Sequence, residues 1–357
     1  MHQHSLFVLI ALLACFSLEI SAQSITPKTY TAYTVSDSIT IDGLAKEKSW
    51  ELAPWSSEFV DIKGHERPLY NTQLKMLWDT NYLYVYVQME EPHIWGTLKK
   101  RDTVIFYNND FEIFIDPDGD THNYMELEIN ALNTLWDLFL TKPYREGGKV
   151  LDHWDIKGLI SAVSYQGTLN DATDVDTSWS LELAIPWEAL REGGGPIPED
   201  NFWRINFSRV QWQFELEQNR YTRKRDSAGK YLDEFNWVWS PQGVVNMHEP
   251  EHWGYVYFSS NSISKTGHKD FQIPKDEKIK WEMYKLYRAQ KAYYHNHQHW
   301  ASSISDLELE TLRVEGALLQ PELQLHDTGY NITVKSPFTS NLLIIREDGY
   351  FTTKTKR

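Results

Sequence analysis

Cysteine is almost missing from this chain: one residue in 357, Cys15. It lies in an N-terminal segment read below as an export signal, so the folded protein is expected to have no disulfide. Its stability then has to come from a large apolar core, which a chain of this length can supply. A cysteine nucleophile is excluded for the same reason. Long apolar runs are also lacking. Residues 6–14 make a short one, too short to cross a bilayer. Basic clusters are scarce: 35 Lys and Arg stand against 50 Asp and Glu, for a formal net charge of −15. That balance excludes binding to a phosphate backbone, which needs grouped cations, so nucleic acid is not an expected partner. The sequence contains no His-Glu-x-x-His, Gly-x-Ser-x-Gly or P-loop pattern. Its thirteen His are scattered, and His248, His252, His295, His297 and His299 read as surface residues.

The apolar run at 6–14, followed by a more polar segment ending in the small residues Ser21 and Ala22, has the form of a secretory signal. Cleavage is expected after Ala22, which places the protein outside the cytoplasm, in a periplasmic, cell-surface or extracellular setting. The rival is a lipobox, Leu12, Leu13, Ala14 and Cys15, in which Cys15 would carry the lipid. Aromatic residues are plentiful: fifteen Trp, twenty Tyr and fifteen Phe. In an exported acidic chain such rings suit stacking on sugars as well as filling a core.

Residues 110–130 are the most informative stretch. Phe111, Ile113 and Ile115 alternate with Glu112 and Phe114, and Met125, Leu127 and Ile129 alternate with Tyr124, Glu126, Glu128 and Asn130. Period-two alternation sends one set into a core and the other to the opposite face of a sheet. The Pro and Gly of Asp116-Pro-Asp-Gly-Asp120 make a tight turn between the two strands. Further strands are expected at 39–43, 72–77, 82–89, 135–140, 158–169, 179–185, 203–213, 237–241 and 254–258. Residues 23–38 read as a polar lead and 215–233 as a charged loop. Many short strands parted by turns indicate a mainly β, antiparallel β-sandwich. The composition shifts at 259–269 to Ser, Asn, Lys and Gly, as in a linker. A helical block at 275–295, a short helix near 306–312 and strands at 322–325, 330–334 and 342–346 then give a small α+β C-terminal domain. The expected organisation is a signal at 1–22, a sandwich at 23–260, a linker at 261–270 and the small domain at 271–357.

The hairpin face carries the candidate chemistry. Glu112 and Glu128 can accept hydrogen bonds from sugar hydroxyls, with Glu126 beside them. Trp95, Tyr107, Trp136 and Trp154 lie in or next to neighbouring loops and offer flat rings to a pyranose. The competing expectations are solvated strand positions for the carboxylates and core filling for the rings. Two of the carboxylates could also act as the acid pair of a glycosidase, though nothing distinguishes an acid from a base, and no catalytic residue is assigned. Asp116, Asp118 and Asp120 could gather oxygens around a structural calcium ion, against a solvated turn as the plainer outcome.

Several motifs in order resemble the family 9 carbohydrate-binding modules and their larger relatives in exported bacterial proteins. They are Ile41-Asp-Gly43 with Trp50, the run 77–85, the strands 110–116 and 124–130, Trp179 to Trp187, Trp203 to Phe207, and Trp239-Ser-Pro241 on to Gly254. The resemblance covers roughly residues 37–258 and implies a β-sandwich that binds an oligo- or polysaccharide, with calcium in some members. Sugar-binding members hold the ligand between two Trp rings. Here those positions fall at Phe106, with Tyr107 beside it, and at Met247. The strand Glu of the family is Glu112. An Arg of the family is replaced by Glu128, and an Asn by Val244. A scaffold that has lost its ligand is the alternative these departures allow.

Overall fold

The computed structural model describes residues 25–194, 196–217, 220–265 and 270–355. The expected signal, its Ala22 cleavage point and Cys15 lie outside them. Thirteen strands share one hydrogen-bonded sheet, eleven of them along a single path. Those that matter here are β1 (Thr29–Thr34), β2 (Thr72–Trp78), β3 (Tyr82–Glu90), β4 (Asp110–Asp116), β5 (Tyr124–Asn130) and β6 (Leu135–Leu140). They continue with β7 (Ile160–Gln166), β8 (Ser178–Pro186) and β9 (Asn201–Gln211); β10 (Phe214–Glu217) and β11 (Arg220–Arg223) form a separate hairpin, and β12 (Phe235–Val238) and β13 (Gly254–Ser262) return to the sheet.

One layer runs β6-β5-β4-β9-β13 and the other β2-β3-β8-β7. Strand β1 joins them, parallel to β13 on one side and to β2 on the other. Alternation explains how the layers meet. Phe111, Ile113 and Ile115 of β4, Met125, Leu127 and Ile129 of β5, and Ile205 and Phe207 of β9 face Leu74, Met76, Val85, Val87, Leu181 and Leu183 of the second layer. The result is a mainly β sandwich, antiparallel except along β1.

Three local expectations need correction. Residues 23–38 contain β1, a central strand, because their Thr and Tyr are strand formers despite their hydroxyls. The Tyr30 hydroxyl accepts the Met76 N–H at 2.9 Å and donates to the Pro54 carbonyl at 2.7 Å. Residues 39–43 form a turn, not a strand. There the amides of Asp42 and Gly43 donate to the Glu182 carboxylate at 3.0 and 2.9 Å. Gly43 has φ +82°, and a Cβ on it would meet the Ser164 backbone nitrogen at 3.0 Å. The charged stretch 215–233 includes most of the β10–β11 hairpin.

Beyond the sandwich, a long helix, Lys275–His297, packs on an antiparallel sheet of β14 (Glu322–His326), β15 (Gly329–Lys335), β16 (Asn341–Arg346) and β17 (Phe351–Thr355). The strand β17 was not expected from sequence, and the helix near 306–312 is a single 3-10 turn at Ile304–Leu307. This unit has its own core, in which Ile279, Met283, Leu286 and Tyr287 meet Ile332, Val334, Leu343 and Ile345. It docks on the sandwich through polar contacts. Lys280 Nζ donates to the Gly119 carbonyl at 2.9 Å, Thr121 Oγ1 to the Gly349 carbonyl at 3.1 Å, and the Phe351 amide to the Asp120 carbonyl at 3.2 Å. Among the described residues no helix is long and apolar enough to cross a membrane.

Candidate functional site

The outer face of β9, β4, β5 and β6 is laid out in rows by strand register. Ser208, Glu112, Glu128 and Trp136 stand opposite one another in one row. Asn206, Phe114, Glu126 and Leu138 form the next. Sequence alternation leads one to expect this face to meet solvent. Instead the segment 244–253 folds over it, and Met247 and Trp253 pack on Phe114, Tyr124 and Leu138. The cover leaves a cavity of about 330 Å³, lined by Glu112, Glu126, Glu128, Phe106, Trp136, Tyr144, Glu234, Met247 and His248 among others.

The cover changes the chemistry of the acids. Asp110, Glu112, Glu126 and Glu128 are all buried, at 0, 5, 4 and 2 % exposure. None has an ion pair with Lys or Arg, and among the described residues no Lys or Arg lines the cavity. Burial pushes the Glu112 carboxyl up to about 7, helped by the charge of Glu234 and opposed by the Ser208 hydroxyl. Asp110, Glu126 and Glu128 are likewise held well above the usual carboxylate range, first by burial and then by neighbouring acids, chiefly Glu112 for Asp110 and Glu126 and Asp110 for Glu128. Both carboxylate oxygens of Asp110 and Oε2 of Glu126 have no hydrogen-bond partner. Glu128 Oε2 accepts the Phe106 N–H at 2.9 Å.

The structure brings together Phe106, Glu112, Glu128, Trp136 and Met247 around this cavity. It places the other three aromatic candidates elsewhere. Trp95 is buried under the β10–β11 hairpin, with Tyr221 stacked beside it at 6.5 Å between ring centroids. Tyr107, next in chain to Phe106, turns into the same neighbouring cavity of about 290 Å³ as Trp95. There the Arg223 guanidinium lies 5.7 Å from the Tyr107 ring and 4.4 Å from the Trp212 ring. Trp154 packs on Phe139, which points to the opposite face of β6 from Trp136, and donates from Nε1 to Glu192 at 2.6 Å.

Sequence reasoning missed Asp110, Tyr144, Glu234 and His248. Asp110 could have been found by extending the alternation one step back from Glu112. His248 is not a surface residue: its Nδ1 is 2.9 Å from the Tyr124 hydroxyl and its Nε2 4.0 Å from Glu126 Oε2. Burial, followed by the charge of Arg145, lowers it to about 3, so it is neutral near pH 7. Tyr144 stands beside it, ring centroids 4.3 Å apart. This wall is fixed from the C-terminal unit. Arg145 pairs with Glu249 at 2.7 Å and Glu251 at 2.9 Å, Arg288 of the long helix reaches the same two acids, and Arg145 Nε donates to the Tyr287 hydroxyl at 3.1 Å.

Asp116, Asp118 and Asp120 stand at the other end of β4. One carboxylate oxygen from each lies within 4.8 Å of the others. The turn is solvated only in part: Asp118 is exposed, while Asp116 is fully buried and Asp120 nearly so. The Asp116 oxygens accept the amides of Gly119 and Thr121, both at 2.9 Å, and Asp120 Oδ1 accepts that of His122 at 2.7 Å.

Residues 41–201 match the model of the carbohydrate family 9 binding domain-like family. Similar solved structures include a provisionally assigned carbohydrate-binding protein from Bacteroides uniformis, with a TM-score of 0.48 and 15% identity. That match covers 65% of this chain and 100% of the other. A family 9 carbohydrate-binding module from Caldicellulosiruptor kristjanssonii, solved with cellotriose, has a TM-score of 0.41 and 15% identity over 68% of this chain and 100% of its own. The same organism's module solved with glucose gives 0.40 and 17% over 69% and 100%. No curated protein matches the chain.

Proposed function

We propose that this chain is an exported, non-catalytic carbohydrate-binding protein that recognises an oligo- or polysaccharide during polysaccharide utilisation. The observation that carries the proposal is the cross-strand row Glu112, Glu128 and Trp136 opening on one cavity. A flat apolar ring beside hydrogen-bond acceptors suits a sugar, which has an apolar C–H face and a rim of hydroxyls. Phe106 and Tyr144 add rings on the cavity wall, and the family match over residues 41–201 supports the same ligand class. A structural calcium ion at the Asp116 turn is a second proposal, favoured by the mutual reach of its three carboxylates.

A glycan array probed with the full chain tests the main proposal. A specific glycan should be retained, and Trp136→Ala should weaken it about tenfold, equivalent to about 1.4 kcal/mol. An array without a hit, or a hit indifferent to both Trp136→Ala and Phe106→Ala, contradicts it.

A further inference from the structure

We infer that Asp110, Glu112 and Glu128 form a binding site for a hard divalent cation of the calcium class at the floor of the cavity. One carboxylate oxygen from each of the three lies within 4.8 Å of the other two. Calcium–oxygen bonds of 2.3–2.6 Å let one ion touch oxygens up to about 5 Å apart, so a single ion can reach all three. The cluster is distinct from the Asp116 turn at the far end of the same strand.

Geometry alone would make this one more acidic cluster. The second observation is the state of its oxygens. Asp110 is fully buried, and neither of its carboxylate oxygens accepts a hydrogen bond of ordinary geometry; the Val210 N–H opposite it on β9 offsets its burial only in part. Neighbouring Glu126 leaves Oε2 unpartnered as well. Buried polar groups in native proteins are almost always paired, and buried charges find a counter-charge or a metal. Here no Lys or Arg lines the cavity among the described residues, and His248 is held neutral. The missing partner is a cation that converging carboxylate oxygens can bind directly.

The donor set selects the class of ion. Three carboxylates with no thiolate or coordinating imidazole disfavour zinc and copper and favour an oxygen-seeking ion. Calcium takes six to eight oxygens, so three carboxylates leave positions open. Glu112 and Glu128 line the cavity, while buried Asp110, two residues before Glu112 on the same face of β4, does not. The open positions therefore face the cavity, where water or, if the glycan proposal above holds, sugar hydroxyls complete the shell.

The test is calcium titration of the full chain after EDTA stripping, read by calorimetry and by the shift in melting temperature. Wild type should bind calcium saturably and melt higher with it. Asp110→Asn and the double variant Glu112→Gln/Glu128→Gln should fold, checked by circular dichroism, and lose at least tenfold in affinity. Asp118→Asn touches only the second calcium site proposed at the Asp116 turn, and should keep the binding that Asp110→Asn loses. No binding by wild type, or binding lost in Asp118→Asn but kept in Asp110→Asn, overturns the site. Retention of glucosamine oligomers with no response to calcium also overturns it, and assigns the acids to an amine-bearing sugar. Glycan binding is measured separately on the same samples. Calcium binding without any glycan hit leaves the cation site standing and removes the sugar proposal, and a glycan hit without calcium binding does the reverse.

Discussion

β4 carries a carboxylate cluster at each end, and the two are held in opposite ways. At its C-terminal end Asp116 is fully buried, yet both its oxygens accept backbone amides, and Lys280 from the long helix sits on the Gly119 carbonyl. At its N-terminal end Asp110 is buried to the same degree and neither oxygen is paired. Both ends show three acids within reach of a single ion. An ion could therefore reach either cluster, and the fate of each oxygen separates a turn whose central acid already holds backbone amides from a cluster whose buried acid awaits a ligand. A satisfied carboxylate contributes to the fold, and an orphaned buried one is a standing cost unless something binds it.

The largest expected effect lies among the acids that do have partners. Arg145→Ala would leave Glu249 and Glu251, at 4 and 3 % exposure, sharing only Arg288. Breaking a buried network of this kind costs about 3–5 kcal/mol. The wall of the cavity holding Tyr144 and His248 should loosen with it. Chemical denaturation measures the first effect, and glycan or calcium affinity the second. Asp116→Ala comes next, since it strands the Gly119 and Thr121 amides at roughly 1–3 kcal/mol each.

Asp110→Asn should do the reverse. In EDTA it replaces an unpaired buried acid by a neutral isostere, and the melting temperature should hold or rise, by about 1 kcal/mol in stability. A clear loss of stability would erase the distinction between the two ends of β4.

The smallest effect is one of pH. Asp348 is half-buried, which pushes its carboxyl up, but His122 at 3.4 Å and Arg346 at 2.7 Å outweigh this and hold it below its usual range. A carboxyl lowered in the folded state adds stability above its unfolded value near 4, and that contribution fades as pH falls towards the folded value. Solvent screening keeps it small, about 0.5 kcal/mol. Asp348→Asn should therefore be slightly less stable than wild type at pH 7 and equal to it in strong acid, as acid–urea titrations would show.

Period-two alternation made the sandwich legible, because it requires nothing beyond the local chain. The pairing of Glu112 with Glu128 and their place beside Trp136 follow from it directly. Alternation does not say what covers a face. The segment 244–253 has no periodic pattern that announces it as a roof, so the burial of the acids and the role of His248 could not be read. Trp95 and Tyr107 were drawn to the site by nearness in sequence. The β10–β11 hairpin takes both to a neighbouring cavity, and its charged residues hid it as a strand pair. The docking of the C-terminal unit depends on contacts such as Lys280 with Gly119, separated by 161 positions in the chain, which no local pattern encodes.

A crystal structure of the full chain grown with calcium, its anomalous signal recorded, tests the central claim most directly. A peak bonded to Asp110, Glu112 and Glu128 is expected at about 2.3–2.6 Å, the usual calcium–oxygen distance. A chain that binds calcium only at the Asp116 turn, with the Asp110 cluster empty, would contradict it.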